Sequence, residues 1–111
     1  MSDTFTIRAD NRVRDLRFKG EQIAEGSNWN TNGNRNNRWT SYELYRTESE
    51  KVVFVTHYHT MWQGEEDDRT VYVYESLQEL EDYFELDEME SLAEWQKEFL
   101  EEAGIEIVED I

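Results

Sequence analysis

Apolar and polar residues alternate over Thr4–Ala9, with Phe5, Ile7 and Ala9 on one face and Thr6 and Arg8 on the other. A period of two marks a half-buried strand, and Asp10-Asn11 reads as the turn after it. A second strand is predicted through Arg12–Lys19, where Leu16 and Phe18 share a face. Val13 falls out of phase with them, which places a bulge near Asp15. Gly20 interrupts, and Gln22–Ala24 continues the pairing. Ser27–Arg38 (SNWNTNGNRNNR) holds six asparagines and a glycine without periodicity, the composition of a mobile loop.

Trp39–Thr47 and Val52–Trp62 read as two long strands of a hairpin joined by Glu48-Ser49-Glu50. Gly64 and Glu65–Asp68 make the next connection. Arg69–Glu75 is the following strand, with Val71 and Val73 opposite Tyr72 and Tyr74. Then the period changes. Ser76-Leu77-Gln78-Glu79 has the order of a capping box, serine on a free N–H and glutamate reaching back. Its helix carries Leu77, Leu80, Tyr83 and Phe84 and ends near Leu86. Asp87-Glu88-Met89-Glu90 offers a second cap, opening a helix that runs to Ala103 and stops at Gly104. Ile105, Ile107 and Val108 are read as a short final strand or tail.

The order β-β-β-β-β-α-α-β predicts an α+β domain, an antiparallel sheet of about five strands with two helices packed on one face. Residues 4–75 are mainly β, 76–104 helical, and 105–111 the short strand. The 111 residues fit one domain, and a chain of this size buries roughly two thirds of its unfolded surface. Although only 37% of residues are hydrophobic, four Trp, six Tyr and five Phe supply bulk for a core. Each buried ring removes on the order of 150–250 Å² from water. The chain has no cysteine, which excludes disulfides, thiolate zinc sites and cysteine nucleophiles. Its N-terminus lacks the basic and apolar regions of a secretory signal, and no apolar run approaches the length of a membrane span. A cytoplasmic protein is expected.

The net charge of −16 is unevenly placed. Residues 1–64 carry 9 Lys+Arg against 8 Asp+Glu, whereas residues 65–111 carry 2 against 19. A one-sign field of this kind steers basic partners and repels nucleic acid. On the second predicted helix, Trp95, Phe99, Leu92, Ala103, Met89, Leu100 and Ala93 span an apolar arc of about 160°. Asp87, Glu90, Glu94, Glu98 and Glu101 fall within about 80° on the opposite side. Carboxylates at this spacing lie roughly 5–6 Å apart by Cβ, not far from DNA phosphate spacing. The stripe is therefore a candidate partner-binding face, DNA-mimic-like at the extreme. Its bland alternative is a solubilising or salt-adapted surface.

His57 and His59 lie two apart on a predicted strand and share a face with Val53, Val55 and Met61. H-x-H on a strand can offer two nitrogens to zinc or iron if a carboxylate completes the set. The cupin pattern puts a glutamate four or five residues later, where this chain has Gln63 and Gly64, with Glu65 one further. Its upstream glycine is Lys51 here. A structural pair is the competing reading. No G-x-S-x-G, Gly-rich phosphate loop or H-E-x-x-H occurs, so no catalytic residue is assigned. Arg8, Arg12, Arg14, Arg17, Lys19, Arg35 and Arg38, beside Trp29 and Trp39, have the composition of a single-strand nucleic-acid binder. The acidic half opposes that, and pairing of some of these arginines with acidic segments is expected.

Arg38-Trp39, Tyr45-Arg46-Thr47, Trp62, Val71–Leu80 (VYVYESLQEL) and the end Val108-Glu109-Asp110-Ile111 resemble the uncharacterised bacterial EXLDI family. Members show a strand ending in Y-R-T, a later tryptophan, a strand leading into S-L-x-E-L, and a terminal acid-x-Leu-Asp-Ile. This chain departs by lacking the terminal leucine and the N-terminal ribbon-helix-helix-like segment. The resemblance implies an accessory or regulatory role and supplies no site residues. Together these features predict a non-enzymatic acidic regulator or inhibitor, without cofactor, engaging a basic protein and neither nucleic acid nor membrane directly. The rival is a small-molecule or metal-binding domain using His57, His59 and the sheet aromatics. Self-association is a third reading.

Overall fold

A computed structural model describes residues 3–29, 38–84 and 92–105. Five strands form one antiparallel sheet: β1 (Asp3–Ile7), β2 (Leu16–Ser27), β3 (Arg38–Thr47), β4 (Val52–Thr60) and β5 (Asp68–Tyr74). They lie side by side in chain order. Two helices follow, α1 (Leu77–Phe84) and α2 (Glu94–Glu102). The domain is α+β, as the change of period from two to 3.6 predicts.

Alternation sorts the sheet into two apolar faces. On the first, Ala24, Tyr42, Leu44, Val52 and Phe54 pack against Leu80, Phe84, Phe99 and Leu100 of the helices. On the second, Ile7, Ala9, Tyr45, Val53, Val55 and Val71 form another buried cluster with Phe5, Leu16 and Phe18 against it. The continuous run Val52–Val55 is buried at every position because β4, an inner strand paired on both sides, meets a core on each face. Burying each such side chain contributes on the order of 1.5–3 kcal/mol.

Residues after β1 close the second face. The Asp10 N–H donates to the Arg69 carbonyl at 2.7 Å, and the Arg69 N–H donates to the Asp10 carboxylate at 2.8 Å. The Asn11 amide bonds both ways with Val71, donating to its carbonyl at 2.8 Å and accepting from its N–H at 3.1 Å. Asp10 and Asn11 follow one edge strand and grip the other, so the sheet is rolled around its second core. The predicted turn is therefore also a seam.

Several boundaries differ from expectation. β2 starts at Leu16, and Val13 is fully exposed in the connection before it. The register shift falls between Gln22 and Ala24 rather than near Asp15. Gly20 does not interrupt β2. It is buried within the strand, where a Cβ would run into the Arg46 carbonyl oxygen, so the strand needs glycine there. Glu79 does reach back at the head of α1, but to the Glu75 N–H, at 2.7 Å, one residue before Ser76.

The helix predicted from the Asp87–Glu90 cap begins at Glu94, since Ala93 is extended (φ −66°, ψ 151°). Gln96 takes the capping role, its Oε1 accepting the Ala93 N–H at 3.0 Å; the acidic cap itself lies outside the described residues. At the other end Gly104 has φ +90°. Gly104 N–H donates to the Glu101 carbonyl at 3.0 Å and Ile105 N–H to the Leu100 carbonyl at 2.9 Å, a Schellman motif. Ile105 is buried as the apolar partner of that motif; the rest of the predicted final strand, and most of the Asn-rich loop, lie outside the described residues.

Candidate functional site

The alternation that buries Val53 and Val55 continues along β4 and places His57 and His59 on the same, second face. Cross-strand register adds their neighbours: Ser41 opposite His57 and Trp39 opposite His59 on β3, and Arg69 opposite His57 on β5. One end of the rolled sheet is thus apolar and the other polar. The two imidazoles stack with centroids 3.7 Å apart. Trp39 lies nearly parallel on His59, 4.7 Å between centroids and 8° between planes, and Trp29 meets Trp39 edge-on at 4.5 Å.

A carboxylate completes the group. Asp67, in the β4–β5 connection, accepts the Thr60 N–H on Oδ1 at 3.0 Å. Its Oδ2 lies 3.8 Å from His57 Nε2 and 3.9 Å from His59 Nδ1. These three ligand atoms all lie within 4.8 Å of one another. Each side chain is also held from behind. His59 Nε2 is 2.8 Å from Ser41 Oγ, and the Arg69 guanidinium donates to His57 Nδ1 at 3.2 Å. The Ser41 and Thr60 bonds engage outer atoms of His59 and Asp67 in the way metal ligands are oriented by their surroundings, whereas the Arg69 donor meets His57 at a nitrogen that would have to donate in a ligating ring.

Size and charge agree with that chemistry. Zinc bonds to nitrogen and oxygen of about 2.0–2.2 Å put neighbouring tetrahedral ligand atoms about 3.4 Å apart. The two Asp67 separations, 3.8 and 3.9 Å, need to close by about half an ångström to match. Desolvation lowers the pKa of both histidines, with the neighbouring His59 and Arg69 charges adding to the effect on His57 and the Asp67 charge opposing it on each. The neutral imidazole, the form that binds metal, is thereby favoured.

The carboxylate that comes nearest to the cupin spacing, Glu65, is not the one supplied. Glu65 is committed elsewhere, taking two bonds from the Arg38 guanidinium at 2.9 and 2.7 Å and one from Thr60 Oγ1 at 2.6 Å. Those bonds pull its pKa down to about 2. Met61 does not share the histidine face; it lies just past β4 and is exposed. Asp67 has no local pattern to announce it, because the connection's path back along β4 is a tertiary feature.

Of the predicted acidic stripe, Glu94, Glu98 and Glu101 lie exposed on α2, opposite the buried Phe99 and Leu100. Asp87 and Glu90 lie outside the described residues. Among the described residues no ion pair involves a carboxylate of α1 or α2. The N-terminal arginines are divided. Arg8 pairs with Asp15 at 3.7 Å, Arg38 pairs with Glu65 and sits 5.5 Å from the Trp62 ring centre, and Arg35 lies outside the described residues.

No family model matches the chain, and comparisons with curated proteins and with solved structures return no match. Among the described residues, no helix is long and apolar enough to cross a membrane.

Proposed function

We propose that the protein binds a divalent first-row metal ion, with His57 Nε2, His59 Nδ1 and one Asp67 oxygen as ligands. The observation that carries this reading is the clustering of the triad: one ligand atom from each of the three residues, all within 4.8 Å of one another, with His59 and Asp67 each fixed by an outer hydrogen bond that a ligand can keep. Two imidazoles and one carboxylate form a borderline donor set suited to Zn²⁺, Co²⁺ or Fe²⁺. Three protein ligands leave a coordination position for water or a small anion. The role is binding, with no reaction attached.

Calorimetric titration of Zn²⁺, and of Co²⁺ followed by its visible spectrum, tests this in the purified protein. One equivalent is expected to bind, and His57→Ala and Asp67→Asn each weaken it at least tenfold, within the range seen for lost ligands and their supports. Substoichiometric binding, or equal binding by both variants, overturns the assignment.

The acidic face supports a second reading. Glu94, Glu98 and Glu101 project to solvent without a described cationic partner, as a surface for a basic protein would. A labelled arginine-rich peptide is the probe. Its binding should weaken steeply from 50 to 300 mM salt, because exposed charges are screened over about 10 Å at 0.1 M. The triple variant Glu94→Gln, Glu98→Gln, Glu101→Gln should lose most of it. An unchanged affinity in that variant removes this face from consideration.

A further inference from the structure

Arg69 occupies the one outer position of the triad whose chemistry conflicts with a bound metal. A guanidinium has donors and no acceptor, so its contact with His57 Nδ1 at 3.2 Å requires a lone pair on that nitrogen. The neutral ring then carries its proton on Nε2, the atom 3.8 Å from Asp67. That nitrogen must give its own lone pair to a metal. Metal binding therefore moves the His57 proton from Nε2 to Nδ1, where it faces the Arg69 donor head-on. Nothing is oxidised or reduced, and no proton is lost; the ring exchanges one neutral tautomer for the other.

His59 shows the contrast. Its outer nitrogen faces Ser41 Oγ at 2.8 Å, and a hydroxyl can donate or accept. Ser41 accommodates either tautomer by rotating its hydrogen, whereas Arg69 accommodates only one. Backbone movement cannot relieve the clash, because Arg69 is clamped on both sides by Asp10, at 2.7 and 2.8 Å. The side chain must swing away instead.

We propose that Arg69 is a displaceable guard on this site: its guanidinium holds His57 in the tautomer that cannot ligate, and a metal ion binds only by expelling it. The inference rests on the metal-binding reading above and adds what sets the affinity. The guard excludes weakly bound divalent cations, since an occupant must replace a charge-assisted hydrogen bond and tolerate a nearby positive charge. Arg69 is thus a specificity-determining residue rather than a ligand.

The test compares Zn²⁺ affinity in wild type, Arg69→Gln, Arg69→Met and the charge control Arg46→Gln, whose arginine is exposed towards the other end of β3. Both Arg69 variants are expected to bind at least tenfold more tightly than wild type (about 1.4 kcal/mol), with Arg46→Gln unchanged. Equal affinity in wild type and the Arg69 variants overturns the guard and leaves the metal site standing. No binding in any protein overturns both. Nitrogen-15 spectra of imidazole-labelled wild type give a second readout that needs no variant. His57 should carry its proton on Nε2 without metal and on Nδ1 with Zn²⁺. A proton already on Nδ1 in the metal-free protein refutes the guard.

Discussion

At the scale of single residues, the histidine pair gives the site a measurable signature even without metal. Both rings have pKa values below the ordinary 6.5, first because burial penalises their charged forms. Between the lowered folded value and 6.5 the unfolded chain binds more protons, so stability rises with pH across that window. The contribution is complete above 6.5 and is lost as pH falls through the window. The Glu65 carboxylate, held down to about 2, acts only below its ordinary 4.5 and does not overlap. Urea midpoints of metal-free protein should therefore fall from pH 7.5 to pH 5.5, and His57→Gln with His59→Gln should flatten the slope. A double variant with the wild-type slope assigns the pH dependence to other groups.

At the scale of elements, legibility in the sequence followed the range of the interaction that builds each one. The strand pattern of β1, β3, β4 and β5 was readable because a period of two needs only neighbours two apart. The stop at Gly104 was readable because a left-handed residue after a helix favours glycine locally. The start of α2 was not. Asp87–Glu90 has the composition of a cap, yet Ala93 is extended and the helix begins after it. Leu92 packs on the helix-side core from outside the helix. The continuous helical wheel that aligned Glu90 with Glu94 therefore does not apply across Leu92 and Ala93. The histidines were legible as a same-face pair for the same local reason as the strands, whereas Asp67, Ser41 and Arg69 joined them only through cross-strand register and the return of a connection.

At the scale of the whole molecule, the decisive feature is the seam, which joins the two edges of the sheet and fixes the strand that carries Arg69. Unpaired edges expose rows of donors and acceptors, and here Asp10 and Asn11 occupy part of the β5 edge with a mixture of backbone and side-chain bonds. Asn11 supplies two of those bonds, to Val71, whose side chain is buried in the second core. Asn11→Ala removes both and leaves the Val71 backbone pair to whatever solvent can reach it. The expected loss of stability is about 1–3 kcal/mol. Asn11→Asp keeps the acceptor for the Val71 N–H but turns a carboxylate oxygen towards the Val71 carbonyl, so it should be destabilised as well. Denaturant titration of the two variants measures the effect. Hydrogen exchange at Val71 and Arg69 locates it, because loss of the seam should speed exchange there before it does so at the central Phe54. Uniform protection across β4 and β5 in Asn11→Ala would mean that the roll is held by the apolar cluster alone and that the seam only decorates it.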